Sequence, residues 1–428
     1  MRRWVALGAA LAVLSAPLGA PAATPSATID LGGAAGYVRP DPGATLVGIE
    51  LFVRAGLDRQ TPAQNGLAAL TAESLLHVPV DGVPLIDAVE ARGGSLSYAV
   101  SGQYVRFELE AQPAALAALA ALFARVLGAP SFDGPLLAAA RSALGERIID
   151  ADGDPRLVGL QMLRSSYYRG GAGMPPLGTP AGLAGLGPRD ARAFFGRWYL
   201  RGDALVAAVG NTGDAAAAAA RALAASLPAG SSPQPAVATR PFAAQPKRIV
   251  TRRDVSTNYV VIGFAAPALG NGDFAAALVI RALLGDLFDV PSATTVPTLF
   301  RPAGTIYGYD TAPAQLALWL NGRLVDPSAG LAALDAVLKS AAAKPLAAAV
   351  LARYKESARG AWALENLSLD ERAWSIGNAV SHGLAADAAD AVAPAIAAVT
   401  AADLQRVAKR YFQRFDIALV LPRQGPGG

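Results

Sequence analysis

The chain repeats itself at a nearly constant offset, and that repeat limits its fold more than any other feature. Gly93, in GGSLSYAVSGQYVRFELEA, has its counterpart 211 residues on at Gly304, in GTIYGYDTAPAQLALWLNG; Leu116 matches Leu331 at 215, and Ala204 matches Ala418 at 214. Each half opens with an apolar strand, TLVGIELFVRAG from Thr45 and NYVVIGFAAPALG from Asn258. An Ala/Leu-rich helix follows, over 66–77 and 274–284, and then a Gly-containing turn into another strand. The next helix carries Leu116, Leu119 and Phe123 in one half and Leu331, Leu334 and Leu338 in the other, the i, i+3, i+7 spacing of one helix face. Each half closes with a polar-capped helix, an aromatic pair and a strand, in PRDARAFFGRWYLRGDALVAAVGN and AADLQRVAKRYFQRFDIALVLP. A steady offset across different elements marks duplication rather than shared Ala/Leu content. Ile49, Leu51 and Val53 alternate as one face of a strand does. The expected fold is α+β: two homologous domains, each a mainly antiparallel sheet packed on one face by helices.

The Pro-, Ala- and Ser-rich segment 226–248 reads as a linker between domains at 24–225 and 249–428. Ahead of them, Arg2 and Arg3 precede an apolar run that Pro17 and Gly19 cut short, and small residues follow at Ala20-Pro21-Ala22-Ala23. This predicts a cleaved signal peptide over 1–23 and a periplasmic or secreted chain. The run falls short of the ~20 residues that a membrane span needs, and no later segment reads as a span. The sequence holds no cysteine, which excludes disulfides, thiolate metal sites and a Cys nucleophile. The formal charge of +4 becomes about +2 (4 − 2) without Arg2 and Arg3. With no basic stripe interleaved with aromatics, no nucleic-acid partner is expected.

Residues 66–76 read GLAALTAESLL. A duplicated α+β unit with strand–VRAG–loop–GLA-helix near its start resembles the pitrilysin/insulinase-like (inverzincin) zinc metallopeptidases, over nearly the whole chain after residue 23. In active members that helix reads G-x-x-H-x-x-E-H. Two His at i and i+4 grip one Zn²⁺ from one helix face, and the intervening Glu takes a proton from metal-bound water. A third ligand, a Glu on a later helix, leaves one position open. Laid on this sequence, Gly66 is the motif glycine, Ala69 the first His position, Ala72 the Glu position and Glu73 the second His position. Glu146 is a loose match to the distant Glu. The resemblance implies a non-catalytic member with no metal or cofactor of its own.

Nothing else in the sequence replaces the motif. Of the two histidines, His77 and His382, each falls at a helix end, where capping of terminal carbonyls is the simpler reading. Neither has a G-x-S-x-G partner. Glu73 and Glu146 read more simply as surface or ion-paired carboxylates, since a carboxylate-only zinc site made from the two would be weak and lacks the usual third ligand.

In active members the second domain also contributes an Arg and a Tyr near a G-x-x-Y turn. Gly304-Thr305-Ile306-Tyr307 matches that turn, and Arg301 lies three residues before the glycine, where the family's Arg is usually four before it. A phenol and a guanidinium can donate to a carbonyl oxygen as it becomes negative. The plain alternative makes Tyr307 a strand residue beside Tyr309 and Arg301 a solvated one. The resemblance thus implies the non-zinc subunit of a bacterial two-chain peptidase. It would form a heterodimer, or a dimer of heterodimers, with a homologous chain that bears the zinc and the intact motif. This chain would hold a peptide as an added edge strand and supply Arg301 and Tyr307. Two readings of other classes remain, a scaffold module of the same fold and a stand-alone periplasmic peptide-binding protein. The Gly-rich stretch 171–187 reads as a domain connection.

Overall fold

All seven residues of the strand Val47–Val53 are buried, although the alternation in the sequence marks only every second one for a core. The reason lies in how the two halves are joined. The computed structural model describes residues 24–234, 236–286, 300–322 and 328–423; the expected signal peptide lies outside them.

The first half contains β1 (Ala27–Thr28), β2 (Ala35–Pro40), β3 (Val47–Val53), α1 (Leu67–Leu76), β4 (Ser95–Val100), β5 (Val105–Ala111), α2 (Pro113–Gly128), α3 (Gly134–Gly153), α4 (Pro155–Tyr167), α5 (Pro188–Trp198) and β6 (Leu205–Gly210). Its sheet runs β1-β2-β6-β3-β5-β4. The second half contains β7 (Arg248–Arg253), β8 (Asn258–Ala266), α6 (Phe274–Asp286), β9 (Phe300–Gly308), β10 (Ala314–Gly322), α7 (Ser328–Ala343), α8 (Ala348–Leu364), α9 (Leu369–Ser381), α10 (Ala401–Tyr411) and β11 (Phe415–Pro422). Its sheet runs β7-β11-β8-β10-β9, the same order without a counterpart of β1. The β2–β6 and β7–β11 pairs are parallel, and the other pairings are antiparallel. Sequence reading missed β2 and β7. The second begins at Arg248, the last residue of the expected linker.

On one face of each sheet lie that half's own helices. Leu116, Leu119 and Phe123 of α2 pack there, as their spacing requires, and Leu338 of α7 does so in the second half. The other face is covered from the opposite half. Helix α4 lies across β8 and β11, with Leu163 packed on Val261 and Ala418. Helix α9 lies across β3 and β6, with Ala373 and Ile376 packed on Phe52, Leu205, Ala207 and Val209. The two helices begin 214 residues apart (369 − 155), so this exchange belongs to the duplication itself. Polar contacts reinforce it: Ser166 donates to Asp416 at 2.8 Å, Arg372 pairs with Asp41 at 2.6 Å, and buried Arg39 pairs with Asp387 and Asp390. Burying both faces of each sheet removes area from water that a one-layer sheet would leave exposed. Among the described residues no helix is long and apolar enough to cross a membrane.

Candidate functional site

Helix α1 begins where the motif glycine predicts. Gly66 holds φ +94°, and a Cβ there would meet Leu183 Cδ2 at 2.7 Å, so only glycine fits the entry. Ala69 and Ala72 are wholly buried in the apolar core and offer no donor or acceptor side chain. Glu73 is 6% exposed and fully engaged within the chain. Its Oε2 accepts from the Tyr98 hydroxyl at 2.7 Å and from Arg147 Nη1 at 3.0 Å. Its Oε1 lies 3.2 Å from His77 Nε2. The Arg147 guanidinium also stands 4.9 Å from the centroid of the Tyr98 ring. Burial, and next the Glu73 carboxylate, hold the Tyr98 phenol well above its usual pKa, so it remains a donor.

Two expectations change here. His77 does end α1, but its ring turns to Glu73 one helical turn back instead of capping carbonyls. Glu146 is exposed, and it is the next residue, Arg147, that α3 brings to Glu73. A zinc ion does not fit this arrangement. Two of the three motif positions, Ala69 and Ala72, have no ligating atom, and the one carboxylate, at Glu73, is neutralised by a guanidinium. Among the described residues no three His, Cys, Asp or Glu side chains come together as a metal site. His382, at the end of α9, joins the halves, with Nδ1 2.7 Å from the Asn378 carbonyl and Nε2 3.1 Å from Gln103 Oε1.

A cleft opens between the two halves. It holds two adjoining cavities of about 380 and 270 Å³, both lined by Arg106, Tyr307, Tyr309 and Trp374. The larger adds Arg281, Glu365, Asp370 and Glu371; the smaller adds Ala99 and Val100 of β4. Among the described residues β4 and β9 each pair on one side only, and both border this space. Beneath Arg106 lies Glu50, wholly buried, which accepts from that guanidinium. Burial pushes the Glu50 carboxyl up to about 8, while Arg106 pulls it back. Arg281 bonds Thr305 Oγ1 at 3.2 Å and pairs with Glu365.

Tyr307 sits in the wall of this cleft but is 7% exposed. Its hydroxyl donates to the Pro267 carbonyl, and its ring packs on Phe274 and Tyr309. For Arg301 the described structure fixes the strand register alone, opposite Asn321. A bulge between Pro302 and Gly304 adds one residue to β9. Arg301 and Tyr307, six apart, therefore do not share the same phase of the strand, as uninterrupted alternation would require.

Sequence reasoning missed Arg147, Tyr98, Arg106 and Arg281. Only Arg281 carried a local signal, as the lone charge between Phe274 and Leu284 of an otherwise apolar helix.

Residues 186–307, from the last part of the first half into β9, match the sequence family described as Peptidase M16 inactive domain. No curated protein matches the chain. Its fold is similar to that of a protease from Helicobacter pylori, at TM-score 0.80 and 16% identity over 94% of this chain and 100% of that one. A peptidase M16 inactive domain from Pseudomonas fluorescens gives TM-score 0.78 at 16% identity, again over 94% and 100%. A chain of complex III2 from Candida albicans gives 0.72 at 16% identity, over 92% and 95%. Fold and site together define a duplicated α+β chain in which Ala69, Ala72 and Glu73 stand on α1 where the resemblance places a metal-binding motif. Residues 186–307 carry the match to the Peptidase M16 inactive domain, the chain as a whole shares the fold of M16-like structures, and its sequence contains no H-x-x-E-H motif.

Proposed function

We propose that this chain is the exported, substrate-holding subunit of a bacterial two-chain M16-type peptidase, and that a homologous chain with an intact H-x-x-E-H helix supplies the zinc. The observation that carries this reading is the state of Glu73. The carboxylate at the second His position is buried and bonded to Tyr98 and Arg147, next to motif positions filled by Ala69 and Ala72. A site so composed can neither hold zinc nor activate water. The chain's contribution then lies in the cleft. β4 and β9, each paired on one side only among the described residues, border a space rimmed by Arg106, Arg281 and aromatic rings. An extended peptide would add to such an edge through main-chain hydrogen bonds, with little demand on its sequence.

The expected Arg301–Tyr307 pair enters this proposal in changed form. Tyr307 serves as cleft wall, because its hydroxyl would have to leave the Pro267 carbonyl to reach a substrate. Arg281, bonded to Thr305 two residues before Tyr307, is the guanidinium on the same cavity. The test is reconstitution: cleavage of an unstructured peptide by the zinc-bearing homologue, before and after this chain is added. The proposal expects the pair to turn over far faster than either chain alone.

The likeness to a chain of complex III2 favours a second reading, a scaffold of the same fold with no peptide in the cleft. On that reading, addition of this chain leaves the homologue's turnover unchanged.

A further inference from the structure

We propose that Arg147 is a resident cation standing in for a metal ion, and that its guanidinium closes a latent divalent-cation site whose other members are Glu73 and His77. Glu73 and His77 stand at i and i+4, the spacing by which one helix face presents two ligands to one ion. Their side chains meet at 3.2 Å. The other oxygen of Glu73 accepts from the Tyr98 hydroxyl at 2.7 Å and from Arg147 Nη1 at 3.0 Å, so the guanidinium is the cation on this carboxylate.

The guanidinium supplies what a bound dication would. A carboxylate this buried needs a compensating charge. Through Glu73 that one charge ties α1 to α3, while the Tyr98 hydroxyl on the same oxygen brings in β4. It also excludes a metal, because a dication would have to share the same oxygen with a fixed positive charge. Arg147 keeps 42% of its side chain exposed, against 8% for Glu73, so the position it fills opens to solvent. Exchanging the guanidinium for a carboxylate would leave two carboxylates and an imidazole converging, an oxygen/nitrogen set that suits zinc. This inference concerns the chain's own residues and stands whether or not a partner subunit exists.

The test is calorimetric titration of zinc chloride into the full chain, into Arg147→Glu and into Arg147→Met. The unmodified chain and Arg147→Met should give no saturable binding. Arg147→Glu should gain one saturable site at least about tenfold tighter than any residual uptake by the unmodified chain. Zinc should raise its melting temperature, and His77→Ala in the same background should abolish the gain. The inference is overturned if the unmodified chain binds one zinc as tightly as Arg147→Glu, or if folded Arg147→Glu gains nothing. Should Arg147→Glu not fold, melting temperatures of Glu73→Gln, Arg147→Met and the double variant decide instead. A double variant that loses less than the sum of the singles supports the resident cation, and additive losses overturn it.

Discussion

Gly377 of α9 lies against the ring of Phe52 in β3 so closely that a Cβ on it would stand 2.0 Å from Cε2. The two residues belong to opposite halves, and at their contact the backbone of the crossing helix lies directly against the sheet it covers. Gly159 of α4 repeats the relationship in the other half, with a Cβ position 2.3 Å from Val261 Cγ2. The halves thus hold together by backbone-close packing that any side chain would spread apart.

Gly377→Ala should therefore destabilise the chain by about 1–3 kcal/mol, the usual cost of overpacking. Gly360→Ala is the control. That glycine is exposed in α8 with nothing near its Cβ position, so alanine should stabilise by about 0.5–1 kcal/mol. Thermal or urea melts of the two variants should move in opposite directions.

A second expectation concerns pH. The Glu50 carboxyl, raised from 4.5 to about 8 by burial, faces Arg106, Glu108 and Asp370. Between those values the folded chain keeps a proton that the unfolded chain has released. Its contribution is fully present below about 4.5 and is lost as pH rises through about 8. The slope from this one group is at most about 1.4 kcal/mol per pH unit. Glu50→Gln should flatten the fall in melting temperature across that window. A remnant should persist from Asp58, which burial raises to about 7.

Tyr307→Phe should act on stability before it acts on chemistry. Loss of the hydroxyl leaves the Pro267 carbonyl without this donor, at a cost of about 1–3 kcal/mol. In a reconstituted pair, turnover per assembled complex should change by less than about tenfold. A loss of about 10²–10³, the effect of removing an oxyanion donor, would instead return Tyr307 to a transition-state role.

Much of this architecture is legible in the sequence because it is local or repeated. Gly66, the apolar stripe of Leu116, Leu119 and Phe123 and the constant offset follow from backbone sterics, helix periodicity and duplication. What stayed hidden is long-range. The sequence alternation of β3 does not reveal that its second face meets a helix more than 300 residues away. The strand Arg248–Arg253 was masked by the Pro-rich stretch before it. At the motif, Glu146 is exposed and it is Arg147 that meets Glu73, a pairing across 74 residues that no local pattern marks. The bulge at Pro302–Gly304 likewise breaks a phase that spacing alone cannot detect.

With Ala69, Ala72 and Glu73 in place of the motif, hydrolysis would have to come from another chain, and cleavage of an unstructured peptide by the purified chain alone, with zinc added, tests this. No turnover above the uncatalysed background is expected, with or without a chelator. Sustained, chelator-sensitive cleavage that survives removal of every other peptidase would contradict it.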